Sequence, residues 1–401
     1  MLQPVPPLAI TAFTVTSALG PGLDAHRSAL NAMRSGLRRN DFSSQPLDCW
    51  IGRVDRIERT PLPETLSSWE CRNNRLAWLG LSQDDFLQAV EAARTRYGPG
   101  RIALVLGTST ASVNATEEAY RRLDADGHIP PDLRRAQIHS PHSLSAFVAD
   151  ALGLNGPALT VSTACSSSAK VFAHAERMIR LGLVDAAVVG GVDSLCDSTL
   201  FGFNALELLS VEPCRPFDRA RRGISIGEAA GFAMLERIEC AAGAPRLLGY
   251  GESSDAHHMS APHPQGLGAE LAMRDALARA GLVHADVDYI HLHGTASLKN
   301  DEVEAQLIVR SFPVTTRVSS TKALTGHTLG AAGIVGAAIA LLAIVDGRVP
   351  GNAGCNEPDT SCGPQWAWRT ERQRVGVALS NAFGFGGNNS CLAFGSAEHT
   401  A

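Results

Sequence analysis

Four short segments set a reactive side chain among small neighbours. In Val161–Lys170 (VSTACSSSAK) an apolar strand runs into a helix of good formers, so Cys165 falls at or near a helix N-terminus. Unpaired backbone N–H groups and the helix dipole favour a thiolate there, and small flanking residues leave room for a substrate. A buried structural thiol is the plain alternative. In His291–Ser297 (HLHGTAS) a strand delivers His293 into a Gly-Thr turn, with Asn300, Asp301 and Glu304 following. His291 and His293 also leave a strand in the same direction, as a metal pair would, but no third ligand with suitable spacing is evident, His257, His258 and His263 being the nearest candidates. In Ser320–Gly333 (STKALTGHTLGAAG) small residues let a helix pack closely behind His327. Lys322, five residues earlier, can orient a histidine or pair with Glu304. In Asn381–Asn389 (NAFGFGGNN) alternating Phe and Gly make a loop whose backbone N–H can approach a reacting carbonyl. Together these are the parts of covalent catalysis: a sulfur nucleophile, imidazoles and backbone donors.

The rest of the chain has to hold these parts in place. With 401 residues, 45% hydrophobic and 19% charged, it is long and apolar enough for two domains, or one large domain in two parts. Strand-like runs recur at Ile102–Leu106, Leu159–Ser162, Ala186–Val189, Gly231–Leu235, Val287–His291, Val375–Leu379 and Cys391–Phe394. Ala-rich helical stretches such as Ser168–Leu183 and Leu271–Ala280 lie between them. Strands alternating with helices predict a layered α/β protein. The pattern restarts near Arg246, which hints at two similar halves, 1–245 and 246–401. The apolar run Leu329–Val345 is short for a membrane span and rich in Gly and Ala, so a tightly packed core helix is expected. A formal net charge of -5 calls for neither nucleic acid nor an anionic membrane. Nine scattered cysteines without a CxxC pair read as reduced thiols of a cytoplasmic enzyme, and the N-terminus lacks the features of a secretory signal. Cys214–Gly231 reads as a charged turn leading into a core strand, with basic residues available to an acidic partner.

Taken in order, the four segments resemble the elongating β-ketoacyl-acyl-carrier-protein synthases of the thiolase superfamily, over nearly the whole chain. The resemblance implies the five-layer αβαβα thiolase-like fold and a homodimer, or a heterodimer with a related ketosynthase or chain-length factor. It implies decarboxylative condensation of an acyl-enzyme with malonyl-carrier protein, with acyl carrier protein as partner. Cys165 matches the nucleophile, His293 and His327 the two histidines, Lys322 the active-site lysine and Glu304 its acidic neighbour. Phe385 matches the gate, its N–H forming the oxyanion hole with that of Cys165. Thr295 and Ser297 match positions that bind the phosphopantetheine arm, which enters with the substrate. No metal or redox cofactor is implied.

Some residues depart from the family pattern. Asn388 stands where a Thr usually follows the Gly-Gly pair, and Ser297 where Thr is common. The small, polar turn Gly107–Ser112 aligns with a segment that often carries larger apolar residues at the bottom of the acyl pocket, so Thr110 is expected on the pocket floor. ACSSSAK, ISIGEAAG and GFGGNNS together resemble a branch serving aryl-polyene-type pigments or other secondary pathways. Two other readings are a thiolase, for which Cys391 would have to act as the acid/base, and a non-catalytic chain-length-factor-like subunit, which would lack the nucleophile.

Overall fold

The computed structural model describes residues 3–241 and 243–398. Its framework is a hydrogen-bonded sheet in which ten strands form one continuous row, with the short strand Gly20–Pro21 paired to the end of the first as an eleventh. Five belong to the first part of the chain: β1 (Leu8–Ser17), β2 (Ile102–Gly107), β3 (Ala158–Val161), β4 (Ala186–Asp193) and β5 (Ala229–Arg237). Five belong to the second: β6 (Arg246–Ser254), β7 (Tyr289–His291), β8 (Arg317–Ser319), β9 (Val377–Gly384) and β10 (Asn388–Gly395). The first group lies in the order β3-β2-β4-β5-β1 and the second in the order β8-β7-β9-β10-β6. Each group reads third, second, fourth, fifth, first. Within each, the successive pairings run parallel, parallel, antiparallel, antiparallel. A short ladder, Leu8↔Leu247 and Ala9↔Arg246, joins β1 to β6 and so one group to the other.

The helices repeat as well. In the first half α1 (Arg72–Leu81) and α2 (Phe86–Tyr97) connect the first strand to the second, and α3 (Ser143–Leu152) the second to the third. In the second half α5 (Leu267–Ala280) and α6 (Leu298–Ser311) fill those places. After the third strand of each half comes a more deeply buried helix, α4 (Ser167–Arg180) or α7 (Ala332–Asp346). Strand alternation explains the layering. Ile102, Leu104 and Leu106 pack with α1, α2 and α3, whereas Ala103 and Val105 face α4 and α7. In the second half Leu379 and Ala393 join α5 and α6, whereas Ala378, Leu392 and Phe394 face the same central pair. The layers are therefore helix, sheet, helix, sheet, helix, the thiolase-like arrangement.

The apolar run of the second half becomes a short 3-10 turn at Leu329–Ala331 followed by α7, and it is mostly buried in protein. Its glycines let α4 and α7 meet at close range. The Ile334 N–H donates to Ser168 Oγ at 2.9 Å. A Cβ on Gly333 would lie 2.3 Å from the backbone nitrogen of Ala169. Gly333→Ala should therefore force the central helices apart and cost about 1–3 kcal/mol, read as a lowered urea midpoint. An unchanged midpoint would contradict the close crossing.

Candidate active site

Both central helices begin just after a turn that carries a functional side chain. In the first half the turn from β3 into α4 holds Cys165, with Ala164 in the left-handed region at φ 51. The three serines that follow tie it down. Ser166 Oγ donates to the Thr163 carbonyl at 2.9 Å and Ser167 Oγ to that of Ala164 at 2.6 Å. Ser167 Oγ also accepts the Thr163 N–H, and Ser168 reaches across to α7. The helix starts at Ser167, two residues past the sulfur.

In the second half the corresponding turn, from β8 into α7, holds Lys322 and His327. The His327 peptide is held on both sides by a stretch of the first half. Its N–H donates to the Ser225 carbonyl at 2.7 Å, and its carbonyl accepts from the Gly227 N–H at 2.9 Å. A Cβ on Gly227 would meet the Thr325 carbonyl oxygen at 2.4 Å. This is the work of ISIGEAAG, whose position beside the site the sequence did not reveal. Glu228 ties the same stretch down, binding Arg72 and accepting the N–H of Val54 and Leu195.

His293 lies just beyond β7, and its backbone is gripped from two directions. Its N–H and that of Gly294 each donate to Glu304, from α6, at 2.8 Å. Its carbonyl accepts a short hydrogen bond from Lys322 Nζ. Sequence reasoning allows Lys322 and Glu304 to pair directly. Instead, each binds a different atom of the His293–Gly294 backbone, and no ion pair joins them among the described residues. The two carboxylate oxygens are spent on two adjacent N–H groups, so the amine turns to the carbonyl. Asn381 adds a third donor to Glu304 at 3.2 Å.

These elements bring Cys165, His293, His327 and Phe385 to the wall of one cavity of about 600 Å³. His327 Nε2 stands 3.0 Å from Cys165 Sγ. The His293 ring packs edge-on against that of His327, with centroids 5.4 Å apart. The N–H groups of Phe385 and of Cys165 itself both reach the sulfur. Gly384 lets the loop come this near, since a Cβ there would lie 2.8 Å from the Thr163 carbonyl oxygen. Phe385 packs on Phe203, which also lines the cavity and carried no signal in the sequence. Thr295 and Ser297 line it, as do Arg221, Arg222, Lys299 and Asn300. The Arg221 guanidinium is occupied by Asp359 at 2.5 Å and by the Leu298 carbonyl at 2.9 Å, so it braces the wall.

Thr110 is not in this wall. Its hydroxyl donates to Asp193 at 2.9 Å, and its N–H donates to the same oxygen at 3.0 Å. Asp193 also collects Thr108, Ser109 and the Gly330 N–H, so the polar turn after β2 surrounds a buried carboxylate. His291 is likewise diverted. It lies buried against Gly336 with Nε2 3.0 Å from Thr321 Oγ1, apart from His257, His258 and His263. Among the described residues, the one group of three or more His, Cys, Asp or Glu side chains within ligand reach of one another is Asp124, Asp126 and His128, on the exposed surface. Cys391 is buried within β10 and absent from the cavity wall, out of place for a thiolase-type acid/base.

Burial dominates the electrostatics. It pushes the Cys165 thiol up to about 12, opposed by the Lys322 charge and the Phe385 N–H. It pulls both histidines well below the ordinary imidazole range, and Lys322 lowers each further. It lowers Lys322, against Glu304 and other acidic groups, and raises Glu304 to about 7 against the donated N–H bonds. The resting site thus holds a neutral thiol and two neutral imidazoles. The Nδ1 atoms of both histidines are buried without a partner. A bare acceptor is tolerated better there than a bare N–H, which favours the proton on Nε2, facing the cavity.

With this geometry in view, two family models match the chain: the β-ketoacyl synthase N-terminal domain over residues 83–241 and the C-terminal domain over 245–356. The chain is 38% identical over 304 residues to Nodulation protein E of Rhizobium meliloti (strain 1021), covering 73% of this chain and 75% of the relative. It is 40% identical over 256 residues to 3-oxoacyl-[acyl-carrier-protein] synthase 2 of the same organism, covering 60% and 61%. Among solved structures, it superimposes with a TM-score of 0.89 and 36% identity on a chain of the Xenorhabdus doucetiae complex of ketosynthase ApeO with its chain length factor ApeC, covering 98% of both chains. A β-ketoacyl synthase from Burkholderia phymatum STM815 gives 0.87 at 26% identity, covering 98% of this chain and 100% of that one. The chain belongs to the β-ketoacyl synthase family. It is a condensing enzyme of the acyltransferase type.

Two outcomes test the site. Glu304→Gln replaces one of two acceptors by an NH2 group that faces a buried N–H. It should cost about 1–3 kcal/mol and slow condensation; an unchanged melting temperature with full activity would refute the clamp. Alkylation of Cys165 by iodoacetamide should accelerate about tenfold per pH unit up to pH 9 without levelling, because the thiol ionises far above neutrality. A plateau below pH 7 would show a preformed thiolate–imidazolium pair instead.

Proposed function

We propose that this chain is the catalytic ketosynthase subunit of a carrier-protein-dependent pathway in the cytoplasm, and that it condenses acyl-Cys165 with malonyl-carrier protein to give 3-oxoacyl-carrier and CO2. The observation that carries the reading is the convergence of one thiol and two neutral imidazoles on a single cavity wall. In the first half-reaction sulfur attacks the carrier thioester while the thiol proton passes to the departing carrier sulfur, and the His327 Nε2–H hydrogen-bonds the Cys165 sulfur as its charge develops. The N–H groups of Phe385 and Cys165 hold the oxyanion. The carrier thiol then departs with a proton. In the second, malonyl-carrier loses CO2 to leave an enolate. Nε2–H groups of His293 and His327 stabilise its oxygen, and neutral imidazoles do so without offering an acid that quenches the carbanion. The carbanion attacks the acyl carbonyl and the Cys165 sulfur leaves.

That Thr295 and Ser297 both line the cavity supports a role for their hydroxyls in binding the phosphopantetheine arm. The likeness to the ApeO–ApeC complex supports a heterodimer with a chain-length-factor-like partner, and it agrees with the aryl-polyene-like motifs. In such a pair this chain is the active member, because the partner type lacks a nucleophile and Cys165 is already hydrogen-bonded. Every step uses protein groups, and neither metal nor redox cofactor takes part.

From the sequence alone the two histidines look interchangeable, both dispensable for acylation. The structure separates them, because only His327 touches the sulfur. Cys165→Ala should abolish acyl transfer to the protein while CO2 release from malonyl-carrier persists. His293→Ala should leave acyl-Cys165 formation near normal and lower decarboxylation by about 10²–10³. His327→Ala should slow both. Normal decarboxylation in both histidine variants, with failure only in acylation, would overturn the assignment.

A further inference from the structure

The Gly384–Gly387 segment carries the Phe385 N–H to the sulfur, so whatever fixes this hairpin tip fixes half of the oxyanion hole. Most of its anchors lie on the segment after β6. The Gly386 N–H donates to the Met259 carbonyl at 2.6 Å, and the Asp255 N–H donates to the Gly387 carbonyl at 2.9 Å. Asn389 Nδ2 donates to Asp255 at 2.8 Å. Met259 is 78% exposed, which makes that side of the support a surface loop. One anchor is different. Asn388, the first residue after the tip, accepts a hydrogen bond from Lys170 Nζ at 3.2 Å. Lys170 lies on α4, five residues beyond Cys165, and it is half-buried. It has no carboxylate within ion-pair distance among the described residues. A partly buried ammonium that uses a neutral amide as its hydrogen-bond partner is costly to keep. Glu252, on β6, is the acidic group whose field reaches it, while that residue's own ion pair is with Arg177. Neither Lys170 nor Asn388 lines the cavity.

We infer that Lys170 and Asn388 form a latch that sets the position of the Phe385 loop from behind, and that the latch governs admission of the acyl group to Cys165. This rests on the proposed ketosynthase reading. It explains a departure in the sequence: an Asn in place of the usual Thr supplies a carbonyl long enough to meet an amine on the nucleophile's own helix. Lys170 is thus a positioning residue. It acts through the tip on the first half-reaction, whereas decarboxylation relies on His293 and His327, which the tip does not hold.

The test uses the assembled enzyme with acetyl- and octanoyl-N-acetylcysteamine as acyl donors. It measures mass-labelling of Cys165 alongside CO2 release from malonyl-pantetheine. Lys170→Met and Asn388→Ala should each change the octanoyl-to-acetyl ratio of acylation by about threefold to tenfold, and the double variant should do no more than either single one. Lys170→Arg, which still donates, should restore most of the ratio. CO2 release should stay within about twofold of the parent throughout. Additive effects of the two single variants would overturn the latch, as would an unchanged ratio. A parallel fall in acylation and CO2 release with a lowered melting temperature would show a purely structural contact. Absence of any acylation in the parent, with CO2 release intact, would instead count against the ketosynthase reading.

Discussion

The bond from the Lys322 amine to the His293 carbonyl is the interaction on which the site depends. An ammonium taken out of water is tolerated only when its donors and its charge are both answered. Here the carbonyl answers one donor, while the carboxyl of Glu304 stands across the same peptide and supplies the opposing field. The amine then acts on everything near it. Burial holds both imidazoles neutral, and the Lys322 charge adds to that while drawing the thiol back toward ionisation. An uncharged residue at this position would lose the grip on His293 and the polarity of the pocket together.

Around that bond the chain uses one layout twice for different purposes. After the third strand, the first half presents the nucleophile and the second half the histidine that meets it. After the second strand, the second half presents His293, whereas the first half wraps Thr108, Ser109 and Thr110 around Asp193. Asp193 also takes the Gly330 N–H at the start of the second half's central turn. One half's loop therefore serves chemistry, and its counterpart fastens the two halves together.

Much of this was legible in the residues. Cys165, His293 and His327 sit in runs of small residues next to strands, and such runs mark places where backbone and substrate must come close. The restart near Arg246 showed only as a hint, because a single run of strand, helix and strand is a weak repeat signal on its own. Other elements gave little signal. β8 has only three residues, too few for a pattern to show. Arg221 was read among basic residues available to an acidic partner, because Asp359, which it binds within the chain, lies 138 residues away. The ties of Thr110 were not legible, because small polar residues suit a pocket floor and a carboxylate cradle equally well, and only the fold brings Asp193 alongside. ISIGEAAG was read as a strand lead-in for the same reason: its contact with His327 crosses from one half to the other.

The turn that presents Cys165 is held by Ser166, Ser167 and Ser168 and by the close approach of Gly384, not by the sulfur. Nothing in its geometry needs a thiol. A gene copy that lost this one side chain would still encode a folded protein with the same cavity and the same surfaces. Silencing the chemistry is therefore cheap for this scaffold, while undoing the serine ties is not. Duplication followed by a single codon change is a short route from an active subunit to an inactive companion that still fits beside it. Such a companion can then diverge freely in the side chains that shape a shared chamber.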